Sequence, residues 1–325
     1  MIRSDFKINI ESKCQEAEKR IREFIRYTPL EFSFYLSKKT QSEVFLKLEN
    51  IQITRSFKIR GAVNKILSLS EAQRKKGILT ASSGNHGAAV SYVSKKLGIK
   101  AALFLPSYVP KTKIESLKIY DPEIEIFGDD CLEAELKAKK EANKKGATYI
   151  SPYNDLEIIA GQGTIGIELT EQLPELDVVI VPVGGGGLVS GLAGYLKSKN
   201  PEIEIIGAQP ENSPVMYESL KAGRILEMES KPTLSDGTAG GIEQGSITYD
   251  LCRDYVDRFV ILSEHEIEQA IRLVIEKEHF LIEGAAALSV AALMKEKENF
   301  IHKKVVLIIS GSKLSLEKLK QIIME

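Results

Sequence analysis

Gly184-Gly185-Gly186-Gly187 joins two strongly patterned runs and limits what this chain can fold into. Before it stands Asp177-Val-Val-Ile-Val-Pro-Val183, an apolar run suited to a strand buried on both faces. After it stands Leu188-Val-Ser-Gly-Leu-Ala-Gly-Tyr-Leu-Lys197, which reads as a helix. Four glycines remove every Cβ from the junction, so the backbone can curl and expose several N–H groups at a helix N-terminus. Such a place binds an anion, usually a phosphate. The first expectation is therefore an α/β chain carrying a phosphorylated cofactor or substrate.

Two familiar phosphate sites do not fit. A P-loop closes its glycine turn with Lys-Ser or Lys-Thr, whereas Leu188 and Val189 follow here. Gly161-Gln-Gly163-Thr-Ile-Gly166 matches G-x-G-x-x-G, the dinucleotide pattern. The run before it, Leu156-Glu-Ile-Ile-Ala160, is short and charged, and the next strand ends in Val183-Gly184 without an acid for a ribose hydroxyl. A flexible linker is excluded at Gly184 to Gly187 because both flanks are patterned.

At 325 residues the chain suggests two domains and can bury a large core. A net charge of −1 gives no pull toward nucleic acid or an anionic membrane surface. No apolar run reaches the roughly 18 residues of a membrane span, and Met1-Ile-Arg-Ser-Asp-Phe-Lys7 lacks the apolar core of a signal peptide. Cys14, Cys131 and Cys252 show no C-x-x-C spacing and read as free thiols of a reducing cytoplasm. His86, His265, His279 and His302 show no metal-ligand spacing.

Residues 11–25 read as an amphipathic helix, broken by Tyr27-Thr-Pro-Leu30. Glu31–Leu36 and Glu43–Leu48 read as a strand pair around the polar turn Ser37–Ser42. Further strands are expected at Ile78–Ala81, Ala101–Leu105, Ile124–Phe127, Thr148–Ser151, Val178–Val183, Ile203–Gln209, Phe259–Leu262 and Val305–Ile309. Helical patterns at His86–Leu97, Asp129–Lys145, Ile158–Gln172 and Glu264–Lys277 alternate with them. This alternation implies parallel sheets covered by helices. Lys221–Gln244, rich in Gly, Ser, Thr and Pro, reads as an irregular loop near a site.

In open α/β sheets, ligands bind beyond the C-terminal ends of strands. Besides the glycine loop, Ala81-Ser-Ser-Gly-Asn-His-Gly87 and Ser310-Gly-Ser312 fall there. The first could grip a carboxylate with backbone N–H groups and Ser or Asn side chains. Each segment alone reads equally well as a helix cap or a tight turn. Ser56-Phe57-Lys58 reads as an N-cap serine and a helix start, where the positive helix end would lower a lysine pKa. A neutral amine is what Schiff-base chemistry needs. Spacing alone does not single out Lys58 among 44 Lys and Arg residues.

Five segments together carry a resemblance. Ser56-Phe-Lys-Ile-Arg-Gly-Ala62, Ser82-Ser-Gly-Asn-His-Gly87, Ala160-Gly-Gln-Gly-Thr164, Val183-Gly-Gly-Gly-Gly187 and Asp236-Gly237 occur in this order. The chain resembles the threonine/serine dehydratase and serine racemase family of fold-type II pyridoxal-phosphate (PLP) enzymes. The resemblance implies two open, mostly parallel α/β sheet domains, similar to the tryptophan synthase β-subunit. A large PLP-binding domain would comprise 1–69 and 153–325, and a small one 70–152. Lys58 would carry PLP, with Phe57 on one ring face and Gly237 over the other. Gly184, Gly185, Gly186 and Gly187, with Leu188, would cradle the phosphate. Asn85 would bond the ring 3′ oxygen, and Ser310 would face the pyridine nitrogen. Ser82, Ser83, Gly84, Asn85 and His86 would hold the substrate carboxylate. Ser83 would also face the substrate α-carbon opposite Lys58.

A serine at the pyridine nitrogen tolerates a neutral ring and delocalises less charge than an aspartate would. That suits β-elimination from L-threonine, L-serine or a related β-hydroxy amino acid, giving a 2-oxo acid and ammonia. The nearest alternative is an amino-acid racemase using Ser83 as a second acid/base; a lower-ranked one is a PLP-binding protein without catalysis. Ser310-Gly-Ser-Lys313 departs from the family's Ser-Gly-Gly-Asn, and Glu283-Gly-Ala-Ala286 from its Glu-Pro-Thr-Gly-like segment. Relatives with a divalent cation place carboxylates where Gln209 and Val215 stand here, so no metal is expected. A cytoplasmic homo-oligomer acting on a small amino acid, without nucleic-acid or membrane partners, completes the expectation.

Overall fold

The computed structural model describes residues 9–129 and 131–324. The first eight residues of the 1–69 segment, and Asp130 of the expected helix Asp129–Lys145, lie outside the described residues. Strands β1 (Leu30–Phe32) and β2 (Glu43–Lys47) come first. Strands β3 (Ile78–Thr80), β4 (Ala101–Leu105), β5 (Glu123–Ile126) and β6 (Thr148–Tyr149) follow, then β7 (Val178–Pro182), β8 (Glu204–Pro210), β9 (Arg258–Leu262) and β10 (Lys304–Ile308). Among the described residues they form a six-stranded sheet in the order β1-β2-β10-β7-β8-β9 and a four-stranded sheet in the order β5-β4-β3-β6. All pairings are parallel except β1 with β2. The α/β class with two mostly parallel sheets is thus as expected.

The unbroken apolar runs are explained by burial on both faces. Val178 and Ile180 of β7 join one core with Val305 and Leu307 of β10. Val179 and Val181 join the opposite core with Val306 and Ile308. Each such side chain contributes about 1.5–3 kcal/mol relative to exposure. A third core packs Ile59, Val63 and Ile66 against Val90, Val93 and Ile78, tying the helix Lys58–Ser68 to the four-stranded sheet. From Gly223 to Ser246 the chain has neither helix nor strand, as its composition implies.

One local expectation is corrected, and the rejection of a dinucleotide turn at Gly161–Gly166 is borne out. Glu31–Leu36 is not one strand: β1 stops at Phe32, and Phe34–Thr40 is a helix. Ser33 caps it by accepting a hydrogen bond from Leu36 N at 3.0 Å, and Gln41 ends it with φ of 54°. Of the aromatic residues in that run, Phe32 lies on β1 and Phe34 and Tyr35 on the helix. The G-x-G-x-x-G run lies inside the helix Leu156–Gln172 and opens no strand-to-helix turn. Its glycines serve close helix packing. A Cβ on Gly163 would lie 2.2 Å from Cys14 Sγ and 2.8 Å from Gly191 O.

A buried charge network fixes the helix that starts at Lys58. Arg60, Glu49, Lys47 and Glu168 are all fully buried. Arg60 donates to Glu49 at 2.8 and 2.7 Å and to Glu168 at 2.7 and 2.9 Å. Lys47 bonds Glu168 and donates to Thr28 O at 2.8 Å. Two fully buried cations thus face two fully buried anions, and the partly exposed Arg22 also donates to Glu168 at 2.9 Å. Burial pushes the Glu168 carboxyl up, but Arg60 and Lys47 outweigh it and bring its pKa to about 2.

Glu168→Gln leaves the two cations underpaired, and a loss of about 3–5 kcal/mol in urea unfolding is expected. The depressed pKa also sets a pH window. Its stabilisation is complete above the ordinary value of 4.5 and is lost as pH falls toward 2. Glu168→Gln should flatten the acid limb of the stability profile there.

Candidate active site

Lys58 opens the helix Lys58–Ser68, but Ser56 does not cap it. Phe57 occupies the cap position with helical angles and no side-chain bond. Ser56 is instead drawn into an antiparallel bridge with Gly311, and Phe57 N donates to Ser310 O at 3.1 Å. This pairing brings the lysine beside the end of β10. The Lys58 ammonium lies 5.2 Å from the centroid of the Phe57 ring and donates to Pro152 O at 2.9 Å. Its pKa is lowered to about 8. The cause is burial, opposed by the Glu283 carboxylate, and not the helix end on which the sequence reading relied.

The four glycines connect β7 to the helix Gly187–Lys199, with Gly186 in the left-handed region at φ of 86°. A Cβ on Gly185 would sit 2.6 Å from the Tyr153 ring, and one on Gly187 would sit 2.9 Å from Tyr153 Cα. One on Gly184 would meet Thr238 at 3.0 Å, so the Gly237–Thr238 turn abuts the loop. Thr248 Oγ donates to Gly185 O at 2.7 Å. The Gln209 amide donates to Val183 O at 3.1 Å and accepts from Tyr217 N at 2.8 Å. Leu188, in the first turn, is buried in the core. The cradle is thus held from several sides while its N-terminal N–H groups stay at the helix entry.

Ser82, Ser83 and Gly84 lead from β3 into the helix Asn85–Leu97 and are half-buried. His86 is buried, and its Nε2 bonds Ile150 O at 3.1 Å. Burial first, and then Lys58, push its pKa down to about 3, so it is neutral. Its side chain is thereby committed to Ile150; toward a carboxylate it can offer its backbone N–H. Asn85 Nδ2 lies 2.9 Å from both carboxylate oxygens of Glu283. Glu283 Oε2 also accepts from Lys313 N at 3.1 Å. A Cβ on Gly311 would come within 2.5 Å of Glu283 Oε1, and one on Gly237 within 3.7 Å.

The structure therefore draws Phe57, Lys58, Asn85, Gly237 and Ser310 together around Glu283 and Pro152. It joins the glycine loop to them through Tyr153 and Thr238. Glu283 and Tyr153 are the residues that sequence reasoning left without a role. The segment Glu283-Gly-Ala-Ala286 was a signal for the first; Tyr153 had none, because only its packing on Gly185 marks it.

These residues fit PLP. Ser310 Oγ is buried and finds no hydrogen-bond partner among the described residues, and the same holds for Asn85 Oδ1. A buried hydroxyl without a partner is costly unless a ligand atom meets it. A partly neutral lysine, a glycine cradle at a helix N-terminus and an uncharged Ser310 match an aldehyde, a phosphate and a pyridine nitrogen.

Comparison with known proteins agrees. L-threonine ammonia-lyase of Thermotoga maritima is 43% identical over 312 residues, covering 95% of this chain and 77% of that protein. The catabolic L-threonine dehydratase of Escherichia coli (strain K12) is 40% identical over 309 residues, covering 94% of each chain. Among solved structures, maize serine racemase superposes with a TM-score of 0.91 at 34% identity, covering 97% of this chain and 96% of that one. Residues 21–311 match the family model for pyridoxal-phosphate dependent enzymes, and the chain belongs to that family.

Proposed function

We propose that this protein is a PLP-dependent ammonia-lyase that converts L-threonine, L-serine or a related β-hydroxy amino acid to a 2-oxo acid and ammonia. The observation that carries the reading is the Lys58 amine, with pKa about 8, beside a buried uncharged Ser310 and a glycine cradle. The identity to ammonia-lyases over nearly the whole chain supports it. Bound there, PLP supplies an electron sink for the substrate α-carbon. Lys58, neutral in a sizeable fraction near its pKa, takes the α-proton. Gly184 to Gly187 and Leu188 hold the phosphate through backbone N–H groups. Phe57 and Gly237 flank the ring. The Ser82 to His86 segment offers N–H groups at a helix N-terminus to the substrate carboxylate. Ser310 would hold the pyridine nitrogen without a negative charge, which would favour early loss of the β-hydroxyl. Ser83 would face the α-carbon opposite Lys58.

In this reading residues 1–69 and 153–325 form the large domain and 70–152 the small one. The protein works as a cytoplasmic homo-oligomer. It needs no divalent cation: the Gln209 amide is committed to Val183 and Tyr217, and Val215 is buried.

Lys58→Ala is expected to lose the borohydride-reducible link to PLP and at least about 10²–10⁴-fold in oxo-acid release. Reduced cofactor attached to another lysine would refute the assignment. Exhaustive chelation should leave activity and thermal stability intact; a magnesium-reversible loss would show a cation site. In the unmutated protein, chiral analysis should find mostly 2-oxo acid and little inverted amino acid. Ser83→Ala should remove that inversion while retaining elimination from the L-substrate. Faster inversion than oxo-acid release would favour the racemase reading.

A further inference from the structure

Asn85 is bound from one side only. Its amide nitrogen faces both oxygens of Glu283 at 2.9 Å, while Oδ1 is buried without a partner among the described residues. An ionised carboxylate accepts hydrogen bonds and donates none. It therefore turns the amide nitrogen toward itself and leaves the amide oxygen, an acceptor, turned away from it. A protonated carboxyl has one O–H to donate. It can pair with the amide oxygen while its other oxygen accepts one N–H, and the second N–H then points outward. The outward atom of Asn85 thus changes from acceptor to donor with one proton on Glu283.

Glu283 is itself firmly held. It is 5% exposed, its N donates to Gly311 O at 3.1 Å, and it precedes the helix Gly284–Lys295. The groups facing it come from every neighbouring element. Lys58 lies on one helix, Asn85 on another, Asp236 in the irregular loop and Lys313 after β10, with Lys113 beyond Lys313. Burial raises the Glu283 pKa, and Asp236 adds to this; Asn85 and Lys313 oppose it.

We infer that Glu283 is a positioning residue whose ionisation selects which atom of Asn85 is turned toward the cofactor's 3′ oxygen, and so where the proton shared with the Lys58 nitrogen resides. With Glu283 ionised, the Asn85 oxygen favours a protonated ring oxygen. With Glu283 protonated, the Asn85 N–H favours the anionic ring oxygen, and the proton resides on the Lys58 nitrogen. No proton is gained or lost by the cofactor in this exchange. The inference rests on the assignment of PLP to Lys58.

The test uses absorbance of the holoenzyme, in which protonated and anionic ring oxygen give shorter- and longer-wavelength bands. Borohydride fixation to Lys58 serves as an independent check. The ratio of the bands should shift toward the anionic form as pH falls through the Glu283 titration. Glu283→Gln, which does not titrate, should remove that dependence and change the ratio at alkaline pH about fivefold, the worth of one hydrogen bond. Adding Glu283→Gln to Asn85→Ala should change nothing further. An unchanged ratio in Glu283→Gln, or the same shift in the Asn85→Ala background, would overturn the proposal. If Glu283→Gln does not fold, the comparison of unmutated protein with Asn85→Ala decides: persistence of the pH dependence without Asn85 overturns it. Cofactor absent from Lys58 in the unmutated protein would instead refute the PLP assignment itself.

Discussion

The pairing of Arg60 with Glu49 and Glu168 governs the position of Lys58. Arg60 lies two residues after Lys58, in the first turn of the same helix. Its guanidinium is held by four short bonds to two carboxylates from other segments, all fully buried. A planar fork bonded on both sides has little freedom to rotate. The helix start is consequently fixed in depth and azimuth, and the Ser56–Gly311 bridge aligns it with β10. The arrangement is all or none. A complete network is neutral, whereas one missing partner leaves an uncompensated charge where water cannot reach.

Much of this was legible in the chain because it is local. Strand β4 falls at Ala101–Leu105 as the apolar run implied, and β7 differs from its expected span by one residue. The glycine junction was readable because it stands between a strand-like run and a helix-like run. Where the reading erred, a long-range or capping interaction outweighed a short-range pattern. At Ser33 a cap bond to Leu36 turned an aromatic, strand-like run into a helix. At Ser56 pairing with Gly311 removed the serine from the cap position that its sequence neighbours suggested. The lowered Lys58 pKa was anticipated in direction but not in cause, since enclosure by Pro152 and its neighbours cannot be seen along the chain.

Glu283 shows the limit of local patterns most clearly. Its partner Asn85 is 198 positions away, and its other neighbours lie near residues 237 and 311. The resemblance of Glu283-Gly-Ala-Ala286 to the family's Glu-Pro-Thr-Gly-like segment marks Glu283 but leaves its role open. Only the convergence of an amide, two glycines and a backbone N–H defines its role. The motifs of the chain therefore pointed to the cofactor, while the carboxylate that meets Asn85 and Lys313 N emerged only from packing.

The position of β10 has a consequence for how the protein comes into being. This last strand does not extend the sheet at an edge; it lies between β2 and β7. During synthesis β2 and β7 therefore leave the ribosome with no hydrogen-bonded connection between them. Their central gap, flanked by apolar faces, stays open until residues 304–308 emerge. Such late, long-range closure is slow and leaves unpaired strand edges exposed. The same event delivers Ser310 and Gly311 to Phe57 and Ser56, so sheet completion and assembly of the site are one step.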